Sequence, residues 1–315
     1  MSGANIYVTR AIPEEAKSLL RGVAQISIWD NEDAVPREEL LKGVVGVQGI
    51  FCTISDVIDK EVLDSAGSDL RIVATMSVGK DHIDLIECSR RGVYVANTSD
   101  IAADSAADLA VALVLMATRR VIEGVDAVRK GQWEGWKPTW LCGTSLMNKT
   151  LGILGFGRVG FGIARRLKPF GIHKVIYNDI QEVEYALDFA EFVSFDELLA
   201  HSDILCICCS LTSLTRNMFT KSEFKKMKNS AVLINTSRGP IVNHVDLTEA
   251  LKEGDIASAG LDVTDPEPLP VDHPLTSLPN CVILPHMGTS TIEARKHMAM
   301  NTAKNIVAMV STNQS

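Results

Sequence analysis

Gly155-Phe-Gly157-Arg-Val-Gly160 stands between an apolar run, 151–154, and a stretch of good helix formers, 161–167. The first glycine lets the chain turn sharply, the second lets backbone approach a pyrophosphate, and the third lets helix and strand pack closely. A helix starting here offers N–H groups and a positive dipole end to phosphates. Asp179 closes the next predicted strand, 174–177. It lies about 20 residues on, where a carboxylate accepts the hydroxyls of an adenine ribose. A glycine-rich turn that merely joined strand to helix would leave Asp179 unexplained. Gly155, Gly157, Gly160 and Asp179 therefore mark a dinucleotide site of the Rossmann kind, with NAD as its expected occupant.

Working outward, 315 residues are too many for one ordinary core and predict two domains. With 46% hydrophobic and 22% charged residues the chain is globular, not disordered. A formal net charge of −8 argues against a nucleic-acid partner, which needs a positive footprint. No apolar run is long enough to span a bilayer, so no membrane partner is expected. The N-terminal stretch enters a strand at 6–9 without a secretory segment. Three of the seven cysteines, Cys206, Cys208 and Cys209, fall in the apolar run 204–209 and read as small buried thiols. No paired spacing suggests a metal site, and an odd, dispersed set fits a reducing, cytoplasmic setting.

Strands are predicted at 6–9, 24–28, 49–53, 72–74 and 93–96, with helices at 13–21, 36–41, 60–66 and 85–91 between them. A second series follows at 151–154, 174–177, 191–193, 204–209, 231–235, 258–263 and 281–284. Such alternation means parallel sheets with helices on both faces. Between the two series an Ala/Leu/Val-rich segment predicts one long helix over 101–129. An irregular excursion, 132–144, carries Trp133, Trp136 and Trp140. Exposed aromatics on an excursion commonly meet a partner surface. A terminal helix over 292–310 has no half-formed unit to complete and is expected to return to the first domain. The fold class is therefore α/β with two doubly wound parallel-sheet domains. Residues 1–98 plus 287–315 form one, and 99–286 form the inserted Rossmann domain.

In open parallel sheets ligands bind beyond the carboxyl ends of the strands. Arg238, Glu267 and His286 each follow a predicted strand of the second series. Reduction of a 2-oxo acid needs these three chemistries together. A guanidinium clamps the carboxylate and polarises the ketone, and an imidazole passes the proton. A carboxylate favours the protonated imidazole and fixes its tautomer. Taken singly, a histidine after a strand or a glutamate between prolines reads more simply as a loop residue; the shared edge gives the set its meaning.

These residues sit in recognisable motifs: Ser77-Val-Gly-Lys-Asp-His-Ile-Asp84, Leu151-Gly-Ile-Leu-Gly-Phe-Gly-Arg-Val-Gly160, Ile234-Asn-Thr-Ser-Arg-Gly239, Gly260-Leu-Asp-Val263 and Leu284-Pro-His286. Over essentially its whole length the chain resembles the D-isomer-specific 2-hydroxyacid dehydrogenases, with a flavodoxin-like substrate domain. Within the family it is most similar to the eukaryotic glyoxylate/hydroxypyruvate reductase group. That closer match rests on Trp136-Lys-Pro-Thr-Trp-Leu-Cys-Gly143, Arg165-Arg-Leu-Lys-Pro-Phe-Gly171, Cys209-Ser-Leu-Thr212 and Pro266-Glu-Pro-Leu-Pro270 followed by His273-Pro-Leu275.

The resemblance implies reduction of glyoxylate or hydroxypyruvate by NAD(P)H. Arg238 would bind substrate, His286 would be the acid/base and Glu267 its partner. The backbone of Val78 and Gly79 would hold the substrate carboxylate. Gly157, Arg158 and Val159 would cradle the pyrophosphate, while Ser210, Thr236, Asp262 and Gly288 would line the cofactor track, Asp262 near the carboxamide. Trp136 would reach into a partner subunit's substrate site, implying a homodimer. Two departures stand out. Lys80 occupies a position that is often aromatic or aliphatic in the family. Relatives that use NADPH place a small residue and an arginine where this chain has Asp179 and Ile180, which points to NAD rather than NADP. The alternatives are another D-2-hydroxy acid, such as D-3-phosphoglycerate, or a dinucleotide-sensing scaffold like the dehydrogenase-like corepressors.

Overall fold

The computed structural model describes residues 4–98, 100–186 and 188–311. The chain divides into two compact units, one running through Ala102 and resuming at Thr289, the other spanning Ala103–Gly288. The first unit alternates β1 (Ala4–Val8), α1 (Glu14–Arg21), β2 (Ala24–Ile28), α2 (Arg37–Gly43), β3 (Gly49–Cys52), α3 (Lys60–Ala66), β4 (Ile72–Thr75), α4 (Leu85–Arg90) and β5 (Tyr94–Ala96). Its five strands are all parallel in the order β2-β1-β3-β4-β5, the flavodoxin-like arrangement. β3 and β4 are buried at every position, as strands covered on both faces must be.

Two helices follow: α5 (Asp100–Thr118) and α6 (Val121–Arg129). The second unit then runs β6 (Thr150–Leu154), α7 (Arg158–Leu167), β7 (Lys174–Asn178), β8 (Glu191–Phe192), α8 (Phe195–His201), β9 (Ile204–Ile207), α9 (Lys221–Phe224), β10 (Val232–Asn235), α10 (His244–Glu253), β11 (Ser258–Leu261) and β12 (Cys281–Ile283). Its seven strands are also parallel, ordered β12-β11-β10-β9-β6-β7-β8. The direction of winding reverses between β6 and β9, the topological switch point at which such sheets take up ligands. One core cluster packs Leu113 and Val114 of α5 with Leu151, Ile153 and Ile163. The other packs Leu198, Phe219, Phe224 and Leu247 with Leu205 and Leu233.

The last helix, α11 (Ile292–Ser311), belongs to the first unit. It buries Ala299, Ala303, Ile306 and Val310 in one cluster with Ile6, Val8, Phe51 and Ile72.

The single helix expected over 101–129 is broken. Arg120 has a left-handed φ of 53° and separates α5 from α6. The cause is not local. The N–H of Thr144 donates to the carbonyl of Thr118 at 2.8 Å, taking an acceptor that a continuing helix would use. Gly143 presses so closely that a Cβ there would lie 2.8 Å from Cα of Arg119. The Thr118 hydroxyl turns back to the carbonyl of Val114 at 2.7 Å, a bond that competes with helix propagation. Across the break, Arg120 pairs with Glu123 at 2.7 Å.

The thiol cluster also differs from expectation. Cys206 is buried, but β9 ends at Ile207, and Cys208 and Cys209 lie beyond it, partly exposed. No described helix is long and apolar enough to cross a membrane.

Candidate active site

All seven strands of the second unit point the same way, so their carboxyl ends form one edge. That edge carries the glycine loop after β6, Asp179 after β7, Ser210 after β9, Thr236 and Arg238 after β10, Asp262 and Glu267 after β11, and His286 after β12. Arg238, Glu267 and His286 therefore follow three adjacent strands at one end, and Asp179 lies towards the other.

Within the glycine loop, Gly155 has φ +89°, and a Cβ there would meet N of Cys209 at 2.6 Å. Only glycine permits both the turn and this approach at the switch point. A Cβ on Gly157 would meet nothing within 4 Å, and Gly157 caps α7 with no side-chain hydrogen bond. Open space over an uncapped ten-residue helix is what a pyrophosphate requires. The Asp179 carboxylate is fixed against this loop: Oδ2 accepts from N–H of Phe156 at 2.7 Å and Oδ1 from N–H of Ile180 at 2.7 Å. Each oxygen keeps a lone pair for a further donor. Ile180 is 99% exposed and places no cation beside the carboxylate.

At the other end, Nδ1 of His286 is 2.9 Å from Oε2 of Glu267, and Oε1 of Glu267 accepts from N–H of Thr264 at 3.0 Å. Burial works to raise the Glu267 pKa. The bond and charge of His286, the Thr264 N–H and the charge of Arg238 outweigh it and hold the group below its ordinary value. An ionised Glu267 can only accept, so Nδ1 carries hydrogen and Nε2 is the nitrogen left for chemistry. Arg238 is brought close because Gly239 packs against the next loop, where a Cβ would overlap the Thr264 backbone. The Arg238 turn is tied down by Asn235, whose Nδ2 donates to the Arg238 carbonyl at 2.9 Å.

Asp262 does something that its place in the sequence did not reveal. It is 1% exposed; Oδ1 accepts from N–H of Met287 at 2.6 Å and Oδ2 from N–H of Gly288 at 2.8 Å. Its carbonyl accepts from N–H of His286. His286 itself sits at a left-handed φ of 55°. Such a backbone costs a non-glycine residue energy and persists only where its surroundings over-determine it. Three bonds to one residue of the neighbouring strand end supply that constraint. No sequence signal links positions this far apart.

In the first unit, Val78 and Gly79 follow β4. Their carbonyls are occupied: Val78 O accepts from Nδ2 of Asn97 at 2.7 Å, and Gly79 O accepts from Oγ of Ser77 at 2.7 Å. Their N–H groups make no hydrogen bond among the described residues. Two N–H groups without a partner, beside carbonyls that are already bonded, can receive an anion. Trp136 is 87% exposed and Trp133 64% exposed, while Lys137 lies 5.9 Å from the ring centroid of Trp140. A cavity of about 290 Å³ lies on the opposite edge of the second sheet, lined by Thr118, Arg120, Cys142, Ser258 and Asn280, away from the loops that carry Arg238, Glu267 and His286.

Residues 111–288 match the family described as D-isomer specific 2-hydroxyacid dehydrogenase, NAD binding domain. A glyoxylate reductase/hydroxypyruvate reductase from Homo sapiens is 48% identical over 307 residues, covering 96% of this chain and 94% of its own. The chain belongs to the D-isomer-specific 2-hydroxyacid dehydrogenase family. Its enzymatic class follows with that membership, and so does its α/β fold of two parallel sheets. Among solved structures, a glyoxylate reductase from Paecilomyes thermophila superposes with a TM-score of 0.89 at 30% identity, covering 98% of this chain and 96% of that one. An NADPH-dependent glyoxylate/hydroxypyruvate reductase from Sinorhizobium meliloti, solved with NADP and malonate, gives 0.87 at 30% identity, covering 100% and 96%. As a 2-hydroxyacid dehydrogenase, the protein interconverts a 2-oxo acid and a 2-hydroxy acid with a nicotinamide dinucleotide.

Proposed function

We propose that the protein reduces glyoxylate and hydroxypyruvate to glycolate and D-glycerate, with NADH as the preferred reductant. The observation that carries this reading is the His286–Glu267 pair with Arg238, on the same sheet edge as the uncapped glycine loop and Asp179. The names of its relatives in several organisms support the substrate class.

The residues fit the dinucleotide. Gly155, Gly157 and Gly160 shape the loop, and the first turn of α7, Arg158 and Val159 included, would hold the pyrophosphate. Asp179 would take the adenine ribose, and Ser210, Thr236, Asp262 and Gly288 would border the same track. Reduced nicotinamide, when bound, supplies the hydride to C2 of the 2-oxo acid. Arg238 binds the substrate and stabilises charge developing on the carbonyl oxygen. Nε2 of protonated His286 gives its hydrogen to that oxygen, leaving neutral imidazole. Glu267 holds the ring through Nδ1 and balances its positive charge before transfer. Asp262 keeps the His286 backbone in register. Val78 and Gly79 contribute their N–H pair to the substrate carboxylate. The two units thus act as substrate domain and dinucleotide-binding domain.

The test is a panel of 2-oxo acids assayed with NADH and NADPH. Glyoxylate and hydroxypyruvate should give the highest kcat/KM. A decisive preference for a phosphorylated acid would move the substrate assignment, and cofactor binding without turnover would point to a sensing scaffold.

We further propose a homodimer in which Trp136 enters the partner's substrate site. Its support is the exposure of Trp136 and Trp133 with the row Val121, Ile122, Val125 and Val128 on α6. Trp136→Ala should raise KM for the 2-oxo acid by about tenfold, with little change in NADH affinity, as loss of an aromatic anchor does. Sedimentation at micromolar concentration should show a dimer; a fully active monomer would exclude this arrangement. Seven unpaired cysteines fit a reducing compartment such as the cytosol.

A further inference from the structure

We propose that His82 is a positioning residue for the Val78–Gly79 loop, acting through a one-way hydrogen-bond chain. The chain is His82 Nε2 to Thr75 Oγ1 at 2.9 Å, Thr75 Oγ1 to Ser77 Oγ at 2.8 Å, and Ser77 Oγ to Gly79 O at 2.7 Å. Its direction follows from its last member. A carbonyl can only accept, so the single hydroxyl hydrogen of Ser77 is spent on Gly79. Ser77 Oγ must then accept from Thr75, whose own hydrogen is spent in turn. Thr75 Oγ1 must accept from the imidazole, and Nε2 of His82 carries the hydrogen.

Thr75 is 0% and Ser77 3% exposed, so neither hydroxyl can easily exchange its partner for water. Buried polar groups that lose a partner are costly, which makes the chain act as a unit. Its far end pins Gly79 O. Asn97 holds Val78 O, and the N–H of Thr98 donates to Ser77 O at 2.9 Å. Three carbonyls are tied down, while the N–H groups of Val78 and Gly79 make no hydrogen bond among the described residues. His82 does not touch substrate here; it fixes the groups that do.

This inference rests on the reading of Val78 and Gly79 as the carboxylate receptor. His82→Leu removes the terminal donor while keeping apolar bulk. We expect KM for glyoxylate to rise about tenfold with kcat changed less than about twofold, since one prop of a preorganised anion site is lost. Affinity for NADH, followed by cofactor fluorescence, should stay unchanged. His82→Gln places an amide N–H where Nε2 was and should restore KM. Ser77→Ala should reproduce the leucine phenotype, and the double variant should add little, because both cuts fall in one chain. Should the leucine variant not accumulate as folded protein, His82→Asn, whose amide is too short to reach Thr75, takes its place with the same expectation. A raised KM in Ser77→Ala with an unchanged KM in the His82 variants would overturn the proposal and leave the carboxylate reading standing. Unchanged KM in both would remove the carboxylate reading itself, and the proposal with it.

Discussion

His286→Asn should lower kcat for hydroxypyruvate reduction by about 10²–10⁴-fold, the usual contribution of a general acid. NADH affinity should be unchanged, because the imidazole is held by Glu267 and not by the glycine loop. Glu267→Gln should be milder and should act on the pH profile. The change removes the carboxylate that holds Nδ1 of His286, so kcat should fall by less than in His286→Asn. In the intact protein, Glu267 is held below its ordinary value and loses its charge only as pH falls through that depressed value. Its support for the imidazolium therefore persists through neutrality and is lost in acid. An acid limb of the pH profile that stays in place in Glu267→Gln would detach the carboxylate from the proton-transfer step.

The second large effect concerns cofactor choice. Wild-type kcat/KM should favour NADH over NADPH, and Asp179→Gly with Ile180→Arg should shift that ratio by roughly 100-fold towards NADPH, since a like-charge contact costs several kcal/mol. The carboxylate cannot easily swing away from a 2′-phosphate, because both its oxygens are bonded to backbone N–H groups. The same bonds mean that Asp179→Gly leaves the Phe156 N–H without its acceptor, so absolute affinity should fall for both cofactors. The ratio, not either value alone, reads the charge effect. A wild-type protein that prefers NADPH would show that Asp179 does not face the ribose.

Much of this was visible in the sequence because the signals are local. Gly155, Gly157 and Gly160 each answer a need of one turn, and Asp179 ends the very next strand. Arg238, Glu267 and His286 group together from sequence alone because parallel strands deliver their following loops to one edge. What could not be read is set by distant parts of the chain. Nothing in 101–129 announces a break at Arg120, since Thr118 loses its helical partner only when Thr144 arrives to take its carbonyl. Asp262 looks like a strand-end acid open to ligand. Its carboxylate also accepts from the N–H groups of Met287 and Gly288, a pairing created by β11 and β12 lying side by side. The extra residues assigned to β9 failed for a related reason: Cys208 and Cys209 are as apolar as the strand, but the ladder ends where Gly155 packs against Cys209.

The most direct test of the central claim is turnover of hydroxypyruvate with NADH by the wild-type protein and by His286→Asn, with the chirality of the glycerate determined. Rapid NADH oxidation yielding D-glycerate is expected in the wild type and a loss of at least about 10²-fold in the variant, with cofactor binding intact in both. Formation of L-glycerate, or equal rates in the two proteins, would contradict it.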